Sequence, residues 1–281
     1  MAGARHVALV CRGDDVHGVA RLLACAAARG IGLRPVAPAR LVAPGDRGAP
    51  ALAFTRLPSG TPPWMLAPLW RAERLGLPFV NAPSALALAH DKAEALAALA
   101  AAGLRTVPTA LVVRDADAVA AVTALAGESF VLKTVSGSAG RGVVVGLDRQ
   151  TAARGAAAFA DASGPVLVQP ALGGGVDRRL FVVGGRIVAC MERRPESTGR
   201  ANLRVGASAA PFEPDARETA LAVQAAAALH LDVAGVDLLH DEAGPLLLEV
   251  NASPGLKGIE AVTGRDIAGA IVDLLAARLR G

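Results

Sequence analysis

The run Leu246-Leu-Leu-Glu249-Val-Asn251 closes an apolar stretch with a carboxylate and a carboxamide two positions apart, and on an extended chain that spacing puts both on one face. A few oxygen donors of this kind suit a hard cation such as Mg2+, which keeps several waters and shares the oxygens of a substrate phosphate. Asp237, on the apolar run Val236–Leu239, is the natural third donor. If the two runs form a hairpin, a three-residue loop over Glu242–Gly244 brings Asp237 opposite Glu249. A four-residue loop turns the two side chains to opposite faces, so the metal reading requires a loop of odd length. Taken alone, two acids and an asparagine at strand ends are more often surface or turn residues.

A second constellation is Lys133-Thr-Val-Ser-Gly137-Ser138-Ala-Gly140-Arg-Gly142. Its spacing is neither that of the Walker loop nor that of the dinucleotide fingerprint. A strand-borne lysine before a loop with three glycines, flanked by strands on both sides, has the form of a flap whose backbone N–H groups close over phosphates. If the lysine stood alone, without the other constellations, the segment would read as an ordinary glycine-rich hairpin. Lys92, after Asp91, is a further phosphate candidate or else a solvated helix residue. Glu192-Arg193-Arg194 and Arg200-Ala-Asn202-Leu-Arg204 bracket the loop Pro195–Gly199, and their arginines either clamp an anionic intermediate or form a solvated rim. Arg12 and Arg56 read equally as acceptor contacts and as surface arginines.

These residues need elements to carry them. A strand over His6–Cys11 and a helix over Val16–Arg29, closed by Gly30, open an α/β unit that ends near residue 84, after a proline-rich stretch, Leu57–Pro68. Ser84 is a candidate cap for a helix over Ala85–His90, and Asp91–Ala102 continues as helix to Gly103. Strands are expected at Thr109–Val113, Phe130–Thr134, Val143–Leu147 and Val166–Gln169, and helices at Asp115–Ala126 and Gln150–Ala160. Beyond the three glycines at 173–175, strands are expected at Arg179–Val183, Arg186–Glu192, Gly235–Leu239 and Pro245–Asn251, with helices at Asp215–Leu229 and Asp266–Leu279. The chain thus divides as 1–84, 85–172 and 173–281.

The 281 residues exceed what one small core holds, and 53% apolar against 19% charged residues excludes wholesale disorder. No uninterrupted apolar run reaches the roughly 18 residues a bilayer span needs. The net charge of +4 is too small for a nucleic-acid-coating tail, so neither nucleic acid nor membrane is an expected partner. Cys11, Cys25 and Cys190 have no metal-ligand spacing and fit a reduced, cytoplasmic compartment, and the start of the chain lacks a cleavage pattern. Only Lys92, Lys133 and Lys257 are lysines among 29 basic residues, so a position that keeps an ammonium in this arginine-rich chain is informative.

Together these segments resemble the ATP-grasp ligases, in particular the RimK-like branch that joins glutamate or related amino acids to an acceptor. The resemblance runs over roughly residues 80–275. It passes through Val80-Asn81, His90-Asp91-Lys92, Phe130–Lys133, Ser136–Gly142, Val166–Gln169, Asp177-Arg-Arg179, Glu192–Arg194, Arg200–Leu203 and Val233–Asp237. The most specific stretch is Leu248-Glu-Val-Asn-Ala-Ser-Pro-Gly255-Leu-Lys-Gly-Ile-Glu260. It implies an ATP-grasp fold, two α+β subdomains sandwiching ATP, preceded by a small Rossmann-like domain. It also implies Lys92 and Lys133 on the phosphates under the flap that includes Ser138 and Gly140, with Asp177, Arg200 and Asn202 near the nucleotide. Asp237, Glu249 and Asn251 would hold two Mg2+ ions, with Mn2+ as a substitute. The family's hinge commonly reads Gln-Glu-hydrophobic, and here it is Gln169-Pro170-Ala171, leaving adenine to the Pro170 carbonyl and the Ala171 N–H. The implied reaction is ATP-dependent amide formation through an acyl phosphate, with Arg193, Arg179 and Arg204, in that order, meeting the oxyanion. Glutamate is the expected amino acid, and the acceptor is a small cofactor precursor or a protein C-terminus. The alternatives are a ligase that activates the acceptor's own carboxylate and, from another class, a non-catalytic nucleotide-binding subunit; a homo-oligomer is compatible with all of them.

Overall fold

The structure, a computed structural model, describes residues 5–13, 15–42, 44–45, 48–135, 142–195 and 208–280. Three sheets organise it. The first is parallel, in the order β2-β1-β3-β4, from β1 (Val7–Cys11), β2 (Leu33–Val36), β3 (Leu52–Arg56) and β4 (Phe79–Val80), with α1 (Val16–Ala28) and α2 (Ala67–Arg74) as connections. Every residue of β1 and of β3 is buried, as expected of strands covered on both faces.

Two helices follow, α3 (Pro83–His90) and α4 (Lys92–Ala101). Ser84 does not cap α3: the helix begins two residues earlier than expected, with Pro83 in its first turn, where the missing N–H is harmless. Asp91 separates the two helices by leaving helical geometry and accepting the Ala93 and Glu94 N–H groups, which starts α4 at Lys92.

The second sheet, antiparallel in the order β5-β8-β6-β7, uses β5 (Ala110–Val112), β6 (Phe130–Thr134), β7 (Val143–Leu147) and β8 (Val166–Pro170). Its helices are α5 (Ala118–Thr123), shorter than expected because Asp115–Asp117 forms a 3-10 turn, and α6 (Arg149–Ser163). Ala152, Ala156 and Ala160 form the buried stripe of α6, small enough to seat that helix closely on the sheet.

The third sheet is antiparallel, β11-β10-β9-β12-β13, from β9 (Asp177–Val183), β10 (Arg186–Arg194), β11 (Ser208–Pro211), β12 (Val233–Asp241) and β13 (Gly244–Asn251), with α7 (Ala216–Ala228), α8 (Lys257–Thr263) and α9 (Ile267–Arg280). Asp215 and Glu218 close a capping box at the start of α7. Two cores join the first and third sheets: Val10, Ala53 and Leu86 pack with Leu180, Val236 and Leu247, and Leu9 and Phe54 pack with Phe181, Met191 and Ile271. The second sheet keeps its own core around Phe130, Leu132, Ala152 and Val168. Cys11, Cys25 and Cys190 are buried thiols, and no helix among the described residues is long and apolar enough to cross a membrane.

Candidate active site

β12 and β13 do form a hairpin with Asp237 paired to Glu249, but not by the expected loop. Asp241 pairs with Gly244, so the connection has two residues, Glu242 and Ala243, and an uninterrupted ladder would set Leu248 against Asp237. A β-bulge restores the pairing: the register shifts by one residue between Asp237 and Leu238, and the extra residue in β13 brings Glu249 opposite Asp237. The bulge does what an odd loop was expected to do. The turn after β13 then fixes Asn251, whose Oδ1 accepts the Ser253 N–H at 2.9 Å.

Glu249 and Asn251 line a cleft with about 500 Å³ of empty space, together with Lys92 at the start of α4, Lys133 on β6 and Gln169 on β8. Three sheet or helix bodies therefore contribute to one concavity. Lys92 reaches it because its backbone N–H is bonded to the Val135 carbonyl at 3.4 Å, next to the end of β6. Burial draws the Lys133 ammonium below its ordinary value, and the charge of Glu249 opposes that shift. Gln169 is buried and donates Nε2–H to Thr109 Oγ1 at 2.8 Å. The hinge departs from expectation at Ala171, whose N–H is given to the Ser129 carbonyl at 2.8 Å and is engaged within the protein rather than offered to an adenine.

The arginines sit on the same sheet face as Glu249. Arg179 grips Asp237 with two bonds, Nε to Oδ1 at 2.7 Å and Nη2 to Oδ2 at 2.5 Å, and Arg193 bonds Asp177 through Nε at 2.5 Å and Asp237 through Nη2 at 2.9 Å. The register explains the cluster, since Arg179 pairs with Asp237 and Arg193 with Asp177 on neighbouring strands. Burial pushes Asp177 up to about 7, with Arg193 opposing and the negative Asp237 adding to the rise. Burial would raise Asp237 as well, but Arg179 and Arg193 outweigh it and hold that carboxyl below its usual range. Burial works against the Arg193 charge, and the two flanking carboxylates overcome it.

Asp237, 2% exposed, does not line the cleft, and both its oxygens are taken by guanidinium groups, contrary to the expectation of an open metal ligand. Asp177 likewise turns to Arg193 rather than to the cleft. Among the described residues no group of three or more His, Cys, Asp and Glu converges as a metal cage. Glu249 and Asn251 beside two ammonium groups fit instead a Mg2+ that takes most of its ligands from water and phosphate. Asp237 could join such an ion only after exchanging an arginine. Ser138, Gly140, Arg200, Asn202 and Arg204 lie outside the described residues.

Sequence reasoning missed Ser59 and Ala89, which line the cleft, and Thr109, which fixes Gln169. It also missed that Arg56, one of its two acceptor candidates, is buried and bonded to Asp15 and the Pro254 carbonyl. The Ser59-Gly60 pair was legible only as a turn inside a proline-rich stretch. On the opposite face of the third sheet, Arg178 bonds Glu192 at 3.0 Å and the buried Glu218 at 2.7 Å, a cluster that ties α7 to the sheet.

Residues 89–275 match the RimK-like ATP-grasp domain. The chain is 41% identical over 216 residues to a probable alpha-L-glutamate ligase of Sodalis glossinidius, covering 76% of this chain and 73% of that one. It is also 41% identical over 211 residues to the ribosomal protein bS6--L-glutamate ligase of Shigella boydii, covering 73% and 70% respectively. The structure of the ATP-grasp ligase PsnB with a minimal precursor superposes with a TM-score of 0.76 at 22% identity, over 98% of this chain and 99% of that one, a likeness of fold that includes the first sheet. PsnB has also been solved with Mg and ADP. From the matched domain, the relatives and the three-sheet architecture together, the chain belongs to the RimK-like ATP-grasp family.

Proposed function

We propose that this protein is an ATP-dependent, ADP-forming carboxylate-amine ligase that adds glutamate to an acceptor. The observation that carries this reading is the convergence of Lys92, Lys133, Gln169, Glu249 and Asn251 on one cleft between the second and third sheets. Relatives named glutamate ligases support the choice of amino acid, and the bS6 ligase supports a protein acceptor.

In this reading the division 1–84, 85–172 and 173–281 separates a small acceptor-side domain from the two subdomains that enclose ATP. Lys92 and Lys133 take the nucleotide phosphates, and the desolvated Lys133 acts as a concentrated point charge there. Glu249 and Asn251 would hold Mg2+ in the cleft, and Asp237 would join them only if released by its arginines. When bound, Mg2+ supplies charge neutralisation on the transferred phosphoryl group. A carboxylate oxygen attacks the γ-phosphorus and ADP departs, leaving an acyl phosphate. The acceptor amine attacks that carbonyl, loses a proton, and expels phosphate as the amide forms. Arg193 and Arg179, which Asp177 and Asp237 hold on the sheet face outside the cleft lining, are the groups this reading assigns to the developing oxyanion. In this reading the nucleobase falls to Gln169, whose side chain lines the cleft.

The test is ADP release by the purified protein with ATP, Mg2+ and each amino acid in turn, with and without purified bS6 as acceptor, and mass spectrometry of the products. Release that requires glutamate, products heavier by whole glutamate residues, and a loss of at least about 100-fold in Glu249→Gln support the reading. Background-level release that ignores every amino acid and is the same in Glu249→Gln would replace it with a nucleotide-binding subunit.

A further inference from the structure

The turn after β13, residues 251–255, is held by the first sheet at two of its carbonyls. Asn81, fully buried at the end of β4, donates Nδ2–H to the Ala252 carbonyl at 3.0 Å and to the Val233 carbonyl at 2.7 Å, and accepts the Val233 N–H at 2.9 Å. Arg56, at the end of β3 and only 4% exposed, donates from Nη1 to the Pro254 carbonyl at 2.8 Å and from Nη2 to the Asp15 carboxylate. Asp15 in turn caps α1 by accepting the Gly18 N–H at 3.0 Å. A buried cation is tolerated here because Asp15 neutralises it, and the flat guanidinium fork meets two acceptors in fixed directions, which an ammonium cannot do.

Pro254 connects this clamp to both strands of the site. The Ser253 N–H, one residue before it, orients the Asn251 carboxamide. On its other side Pro254 packs against Gly235 so closely that a side-chain carbon there would lie 2.8 Å from Pro254 Cβ, and Gly235 stands two residues before Asp237 on β12. Arg56 itself does not line the cleft.

We propose that Arg56 is a positioning residue for the cation and phosphate site: by holding the Pro254 carbonyl it sets the Asn251 carboxamide, and the gain in nucleotide affinity that Mg2+ provides depends on it. This inference rests on the proposed role of Glu249 and Asn251 at Mg2+. It assigns to the first sheet a part in nucleotide binding, separate from any part in acceptor recognition.

The experiment measures binding of a fluorescent ADP (mant-ADP) to the full chain in saturating Mg2+ and in EDTA, together with the melting temperature. It compares the parent, Arg56→Met, Arg56→Lys, Asn251→Ala and the double variant Arg56→Met/Asn251→Ala. The expected result is that Arg56→Met loses about tenfold of the Mg2+-dependent gain, while its affinity in EDTA stays within about twofold of the parent. The double variant should lose no more than Asn251→Ala alone, because both changes remove the same positioned group. Arg56→Lys, which keeps a cation for Asp15 but not the fork, should lose the gain with little change in melting temperature, and it decides the matter if Arg56→Met does not fold. Equal weakening in Mg2+ and in EDTA, or a gain retained in the Arg56 variants but lost in Asn251→Ala, overturns the role of Arg56. A full gain in Asn251→Ala overturns the Mg2+ role of Asn251, and this inference with it.

Discussion

His90 carries the protonation of this site's edge in one hydrogen bond. Its Nε2 lies 3.2 Å from the Leu57 carbonyl, which requires a proton on that nitrogen, and its Nδ1 is buried without a partner. Burial lowers the imidazole pKa to about 4, the Leu57 carbonyl opposes that shift, and nearby Lys92 adds to it, so the ring is neutral in the folded protein. An unfolded histidine titrates near 6.5, and the folded chain therefore binds fewer protons between that value and about 4. The stabilisation is full above about pH 6.5 and is lost as pH falls toward 4, at most about 3 kcal/mol for this group. His90→Gln keeps an N–H for Leu57 and removes the titration. Melting curves between pH 7 and 4.5 should fall less steeply in the variant than in the parent, and parallel curves would sink the assignment. Residue identity was a good guide where chemistry demanded one type: two of the three lysines, Lys92 and Lys133, line the cleft. It was a poor guide for Asp237, because a carboxylate that suits Mg2+ suits guanidinium groups equally, and only the register of β9 and β10 places Arg179 and Arg193 against it.

Among the secondary-structure elements, β6 and β7 were legible to the residue because short apolar runs rich in β-branched residues, separated by a glycine-rich loop, mark antiparallel strands. The pairing of Asp237 with Glu249 was legible but its cause was not. Leu246-Leu247-Leu248 gives no local sign that one residue bulges, so the metal reading asked for a three-residue loop where the turn has two. β3 and β4 escaped because a fully buried parallel strand shows no alternation and β4 has two residues. Gly235 also looked unremarkable on its strand, and its significance is the closeness of Pro254. Gly235→Ala should destabilise the protein by about 1–3 kcal/mol, the usual range for forcing a methyl group into a packed contact. Adding Pro254→Gly should recover part of that loss, since glycine lacks the Cβ met at 2.8 Å. Chemical denaturation of the two single variants and the double variant checks this, and strictly additive losses would mean that the strain lies elsewhere.

For the molecule as a whole, the distribution of cores sets what can move. The first and third sheets share two apolar clusters and a charged seam in which Arg21 meets Glu260 and Asp266, and Arg29 meets Asp273. The second sheet has a separate core and meets the rest at residues 105–107, where Val107 and Leu247 are bonded and Arg105 reaches Asp241 and the Pro245 carbonyl, and at the Val135 carbonyl, which accepts the Lys92 N–H. The cleft lies between these two bodies, with Lys133 and Gln169 from the second sheet facing Glu249 and Asn251 from the third. Asn81 is a fully buried polar link within the larger body, its carboxamide serving two backbone groups of Val233 and the Ala252 carbonyl in the turn after β13. Asn81→Ala leaves those groups unsatisfied at roughly 1–3 kcal/mol each, so the loss should reach about 3 kcal/mol or more. Hydrogen exchange read by mass spectrometry separates this from a local defect. Protection should fall together in peptides from β1–β4 and from β9–β13, while β6 and β8 keep theirs. Loss confined to β4 and its neighbours would show instead that the two sheets open independently, and the acidic half of the cleft would then be anchored by the third sheet alone.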